Sequence, residues 1–517
     1  MTVPGRVRWV AGLAALIVMV AAAPRPVVTA PVRGLTQVAG LVRVFDLVHD
    51  ADFAAAEAEM PRACGPAPRQ ACDVLGAASL WWRIYLDADN RSLDQQFLAR
   101  ITDVIAHGED WVTREPERAE AWFYLGAAYG ARVDFHAERA EYLAAARDGK
   151  RIKNALEKAL SLDPDMQDAN FGIGMYEYYA DIAPAVLKLF RWLLALPGGD
   201  KVKGLRQMQE TRNLGTVMRS EAAYQLHLIY LWYEKNPDGA IALLQELRAR
   251  HPHNPLFQQN IAEVHDVYRG DRLAALAAYR ALADGARLGA FHEAGLAESV
   301  GHLGAAEQLD ALAQSDRAID EWRTVIDRKP AAPYGAVARA YLGTGRAYDR
   351  LGDRDKAVAA YRAAQANAPA GDPRQTRKGA QDGLSATPDR TTAEAYRLSL
   401  EGWRAFERGA LADAATRLDR AVQLRPDDGV HRYRRGMVSI ARGDRAKAIA
   451  DFERALQVRP SPPASFMAGA FLESGRLYEA SGDRARALSS YDWVTRVHGV
   501  DAATREAAVL ALARLRR

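Results

Sequence analysis

With 517 residues, 49% of them hydrophobic and 26% charged, the chain is globular and too long for one compact core, so several domains or an array of repeats is expected. Its 69 Lys and Arg nearly balance its 65 Asp and Glu, which excludes the basic excess that nucleic-acid binding draws on. Alanine is abundant after residue 50 and Val/Ile/Thr alternation is scarce, so helices are predicted throughout.

Residues 1–30 differ from the rest. Arg6 and Arg8 precede an uncharged apolar run from Trp9 to Ala23, and no acidic residue occurs before Asp46. That order reads as a secretory signal, and the run is short for a span of about 20 residues. Val20-Ala21-Ala22 and Val28-Thr29-Ala30 both offer a small-residue cleavage site, with Pro31 disfavouring the second. An uncleaved N-terminal anchor is the other reading. The expected location is periplasmic or secreted, or at the inner membrane if the segment is retained. Cys64 and Cys72, the two cysteines, have seven residues between them in CGPAPRQAC. In an exported chain such a pair suggests a disulfide closing a small loop between neighbouring helices; two free thiols are the alternative.

Residues 31–290 predict an irregular helical region. Trp122, Leu125, Gly126 and Tyr129 stand in AWFYLGAAY, and Pro116 and Pro164 end helices on either side. His136–Leu160 has no breaker except Gly149, which predicts two long helices. Tyr224, Ala240, Leu244 and Pro252 follow, then Ala274 and Ala281. Residues 291–369 are more regular. Ala318, Trp322 and Pro330 lead to Gly345, Ala357, Tyr361, Ala364 and Pro369. Residues 370–392 read as a linker that has room for one short helix. In residues 393–517 the same offsets return as Gly402, Ala414, Leu418, Ala421 and Pro426, and again as Gly436, Ala448, Phe452, Ala455 and Pro460. Gly475, Tyr478, Ala487 and Tyr491 make a further copy. The final stretch AATREAAVLALARLRR places Val509, Leu512 and Leu515 on one stripe, as in a capping helix.

These offsets describe a helix pair. Glycine or alanine sits where two antiparallel helices cross closely, an aromatic fills the gap between one pair and the next, and the proline ends the second helix. Turns such as LGDRDKA and RGDRAKA place an aspartate where it caps the next helix.

The pattern resembles the tetratricopeptide repeat, W-x2-L-G-x2-Y, then A-x3-F, then P, over most of residues 90–500. Trp122 to Pro164 spans 42 residues where that pattern needs about 28, so each helix of this pair is expected to be longer by about two turns. The resemblance implies an all-α right-handed superhelical solenoid of helix-turn-helix pairs with a long concave groove. It implies a non-enzymatic scaffold or adaptor that binds a protein or peptide segment, here in the cell envelope. The groove positions carried over are Gln225, Ile229, Trp232, Gln259, Glu263, Arg339, Arg346, Arg350, Tyr396, Trp403, Tyr433 and Met437. The arginines among them suit an acidic peptide or a solvated face. The basic clamp with which some members hold chaperone tails has no counterpart at the matching positions.

Two other features draw attention. Val186–Leu196 is apolar nearly all round, which suits an internal helix, a groove wall or a peripheral membrane contact, the last also open to the N-terminus. Tyrosines in GMYEYYADIAP, with Tyr224, Tyr230, Trp232 and Tyr233, suit either packing between repeats or a peptide groove; a closed ligand or enzymatic pocket in residues 171–235 is the alternative function. No nucleotide-binding loop, nucleophile elbow or zincin motif is present, so no catalytic residue, cofactor or metal is assigned. His251 and His253 flank a proline in a helix-ending turn and are at best a weak metal site.

Overall fold

The computed structural model describes residues 30–182 and 198–517. The signal-like stretch and the apolar segment Val186–Leu196 lie outside the described residues. Among the described residues there are 24 α-helices and no strand. Short turns join them into consecutive pairs, and such connections make antiparallel neighbours. Seven regular pairs begin with Arg219–Trp232 and Pro237–Arg250 and end with Ala464–Ala480 and Arg484–Arg496. The helix Ala502–Arg516 follows them. The molecule is therefore an all-α solenoid of helix pairs.

The prolines stand where the sequence places them. Pro252, Pro330, Pro369, Pro426 and Pro460 each fall within three residues past the end of a second helix. The lengthened pair is Ala119–Glu138 and Tyr142–Leu162, of 20 and 21 residues, against up to 18 in the later first helices and 13 to 16 in the later second helices, so most of the added length lies in the second helix. The recurring glycines are seats for side chains. A Cβ on Gly345 would lie 2.6 Å from the Tyr361 ring, and one on Gly436 would lie 2.5 Å from Phe452. The aromatic thus packs on the glycine of its own pair as well as toward the next. Tyr361 also presses against Gly383, and its hydroxyl donates to Asp349 Oδ2 at 2.8 Å. In the turn after Gly429–Ala441, Gly443 takes φ +83° and Asp444 accepts from the Lys447 amide at 3.0 Å. Left-handed backbone favours glycine there, and the aspartate starts the next helix.

The segment read as a linker holds the helix Thr376–Ser385, which packs on the preceding pair through Gly383 and Ala380. Small residues let it approach Tyr361 and Leu342, and this contact outweighs a linker-like composition. At the C-terminus Ala508, Ala511 and Leu512 face inward, while Val509 is exposed. The buried stripe therefore runs one residue ahead of Val509, because alanines make the close contact. Cys64 and Cys72 are bonded, with Cα atoms 5.8 Å apart, joining the end of Phe53–Cys64 to the first turn of Arg69–Leu86.

Candidate functional site

The most unusual chemistry lies on four helices of the N-terminal half, two of them long. Tyr85 ends the helix Arg69–Leu86, Asp134 and Glu138 lie in the last turns of Ala119–Glu138, Tyr179 stands on Ala169–Ile182, and Glu221 and Tyr224 stand on Arg219–Trp232. An aromatic framework fixes them. Trp82 meets Tyr224 with ring centroids 5.2 Å apart, Tyr85 meets Tyr224 at 5.5 Å, and Tyr179 meets Tyr233 at 5.7 Å. Such pairs contribute about 0.5–1.5 kcal/mol each beyond their burial.

Asp134 is the key group. It is half-buried, and among the described residues no hydrogen bond or ion pair holds its carboxylate. Burial, with Glu221 nearby, raises its pKa well above the usual carboxylate range. Burial likewise raises Tyr85 and Tyr179, and both feel the charge of Asp134. Glu138 is raised by burial as well. The tyrosines are therefore neutral hydroxyls near a carboxyl group that has no cation among the described residues. Glu221 is partly engaged: its Oε2 lies 3.5 Å from His49 Nε2, and Gln225 donates to its Oε1 at 3.4 Å.

Two neighbours show what such groups do when a cation is present. Burial would raise Glu177, but Lys153, at 2.9 Å, and Lys203 outweigh it and hold the carboxylate below its ordinary range. Arg132 donates to Asp148 Oδ2 at 2.6 Å and lies 5.5 Å over the Tyr129 ring. Asp134 has the carboxylate and the nearby tyrosines of these constellations, without a basic side chain among the described residues.

The groove residues carried over from the repeat pattern fall into separate groups. Gln225 is buried and braces Glu221, so it is not an accessible contact; the helix Arg219–Trp232 is covered nearly all round. Ile229 is also buried, whereas Trp232 is exposed at the helix end. Gln259 donates to Glu263 at 2.9 Å, and Arg339 faces the same glutamate while donating to Glu307 at 3.2 Å. Burial raises Glu263 despite those partners. Arg350 pairs with Asp310, and Tyr396 shares a 2.8 Å hydrogen bond with Ser315 in the same place. Trp403 and Tyr433 flank Arg434 and Phe466. Half-buried Met437 packs beside Tyr433. Arg346 is exposed beside Gly379. The arginines do not form one basic patch, because Arg339 and Arg350 each meet an acid one repeat earlier.

Sequence reasoning missed Asp134, Glu138 and Tyr85. It also missed Arg434, a buried arginine brought to about 10 mainly by burial, which donates to the Ser399 hydroxyl and the Ala313 carbonyl. Asp134 and Glu138 sit in the turns that lengthen their helix, where the 34-residue pattern has no position to carry over. A carboxylate next to buried Phe135 was the available signal. The Ser220–His251 contact of 2.8 Å is sealed from solvent, and burial lowers His251 to about 3, so no substrate meets that pair. Among the described residues, no helix is long and apolar enough to cross a membrane.

Comparison with known proteins bears on the C-terminal half first. Family models described as tetratricopeptide repeat match residues 338–370 and 399–465. No curated protein matches the sequence. Among solved structures, the chain is similar to a tetratricopeptide repeat protein from Parabacteroides merdae, at 15% identity and a TM-score of 0.25 over 57% of this chain and 98% of that one. It is similar to a thermophilic protein of the same repeats in Thermus thermophilus, at 17% identity and a TM-score of 0.19 over 57% and 99%. A third likeness is to the TPR2AB domain of yeast Sti1 in complex with pHSP90, at 14% identity and a TM-score of 0.22 over 58% and 98%.

Proposed function

We propose that the chain, whose C-terminal half carries tetratricopeptide repeats of a kind that generally mediates protein–protein interactions, is a non-enzymatic adaptor that seats a basic side chain of a partner segment between Asp134 and its neighbouring tyrosines. The observation that carries the reading is the half-buried Asp134 carboxyl, which has no ion pair among the described residues and whose charge is felt by Tyr85 and Tyr179. A lysine or arginine entering there gains a carboxylate and aromatic faces together, the combination that Arg132 already finds at Asp148 and Tyr129. The pairing of Arg339 with Glu307 and of Arg350 with Asp310 argues against an acidic partner at the C-terminal groove. The basic N-terminal stretch and the cysteine pair support export, so the adaptor works in the cell envelope with Cys64 and Cys72 oxidised.

A photo-crosslinker placed at exposed Tyr233, and in parallel at Arg346, tests this in a native envelope extract. Mass spectrometry should recover Lys- or Arg-bearing segments from the Tyr233 position and not from Arg346. Acidic segments captured at Arg346 alone would overturn the reading.

A further inference from the structure

Three turns that are far apart in sequence meet at one point on the surface. Asp50 and Asp52 lie in the turn between Val38–His49 and Phe53–Cys64. His253 lies in the turn before Pro255–Glu263, and His292 in the turn before Ala294–Ala311. We propose that Asp50, His253 and His292, with Asp52 in reserve, form a binding site for a divalent transition-metal ion of the zinc class.

The geometry is that of prepared ligands. One ligand atom from each of Asp50, His253 and His292 can be chosen so that all lie within 4.8 Å of one another. Asp50 Oδ2 is 2.7 Å from His253 Nδ1 and 3.7 Å from His292 Nε2, and Asp52 Oδ2 is 3.6 Å from the same His292 nitrogen. Ligand atoms around a tetrahedral zinc ion with bonds of about 2.0–2.1 Å lie roughly 3.3 Å apart, so small side-chain adjustments bring the set into coordination. The other oxygens are already committed to the backbone. Asp50 Oδ1 accepts from the His253 amide at 2.9 Å, and Asp52 Oδ1 accepts from the Ala55 amide at 3.0 Å. The His292 amide in turn donates to the His253 carbonyl at 3.1 Å. These bonds orient the ligands, as outer-shell contacts do in metal sites. Both imidazoles are solvent-accessible, which leaves a path for the ion.

Two imidazoles and carboxylates favour zinc, nickel or copper over magnesium or calcium, which prefer all-oxygen sets. A bound ion would clip the first helix pair to the middle of the solenoid. Asn254 already bonds the His49 carbonyl there, at 2.6 Å. The site stands independently of the seat at Asp134.

The test is calorimetric titration of the untagged full chain with zinc chloride, beside the His253→Gln/His292→Gln chain. The expected result is one equivalent bound by the native chain and at least tenfold weaker binding by the double variant, with magnesium giving no heat above dilution. Equal zinc binding by both chains, or none by the native chain, overturns the proposal. Cobalt(II) absorption of the native chain needs no variant to fold. Strong visible bands that zinc displaces support a low-coordinate site, and the weak spectrum of aqueous cobalt contradicts it.

Discussion

The two halves of the solenoid hold together differently. From Leu41 to Val264 the buried side chains form one continuous cluster, threaded by Trp82, Tyr224 and Phe257. From Ala262 to Leu512 the core breaks into smaller clusters, the first reaching from Ala262 to Ala347 and the rest more local. The C-terminal half is a repeat array in the strict sense, in which stability is a sum of local interfaces. The N-terminal half uses longer helices to bring distant residues onto one framework. That framework can hold a carboxyl group in an unfavourable state, because many contacts fix it at once. A shared core therefore goes with the candidate seat, and a modular core goes with regular repetition.

The largest expected effects should separate the halves. Trp82 and Tyr361 are each about 2% exposed, and truncating such aromatics to alanine costs about 3–5 kcal/mol. Trp82→Ala should lower the urea midpoint and abolish binding of a basic segment together. Tyr361→Ala should unfold only its neighbouring pairs, read by hydrogen exchange of residues 336–385, and spare that binding. Global loss of protection from Tyr361→Ala would show that the halves are not distinct.

Gly436→Ala comes next. Alanine favours a helix by about 1 kcal/mol over glycine, but its Cβ would sit 2.5 Å from the Phe452 ring. Overpacking of this kind costs about 1–3 kcal/mol, so net destabilisation is expected in thermal melts. A gain in melting temperature would mean that the ring has room to move.

Asp134→Asn should act with opposite signs on fold and function. A carboxyl group whose pKa is raised on folding contributes stability below its unfolded pKa, and that contribution is lost as pH rises through the folded value. At neutral pH the asparagine chain should therefore melt higher than the native one, and the advantage should vanish in acid. Melts from pH 4 to pH 8 check the sign. The smallest effect is expected from Arg350→Ala. Its pair with Asp310 is part-exposed, so about 1 kcal/mol or less is lost, and binding of a basic segment should not change.

Much of the C-terminal half was legible because its rules are local. Gly345 with Tyr361, Gly436 with Phe452 and the prolines after each second helix all lie within one repeat. The site was less legible because its members come from four helices, three of them ahead of the regular pairs and the fourth, Arg219–Trp232, opening them. Gln225 occupies a groove position in the pattern yet is buried, since its helix is covered on nearly every side. Asp134 has no position in the pattern at all. The meeting of Asp50, His253 and His292 depends on how the chain curls over more than 200 residues, and no spacing along the sequence records that.

The most direct measurement is calorimetric titration of the native chain at pH 8 with a short lysine- and arginine-rich peptide and with its glutamate-substituted counterpart, repeated on Asp134→Asn. The basic peptide should bind and the acidic one should not. The substitution should weaken binding about tenfold or more, as loss of one charge-assisted contact implies. Binding of the acidic peptide, or equal affinity of both chains for the basic one, would contradict a cation seat at Asp134.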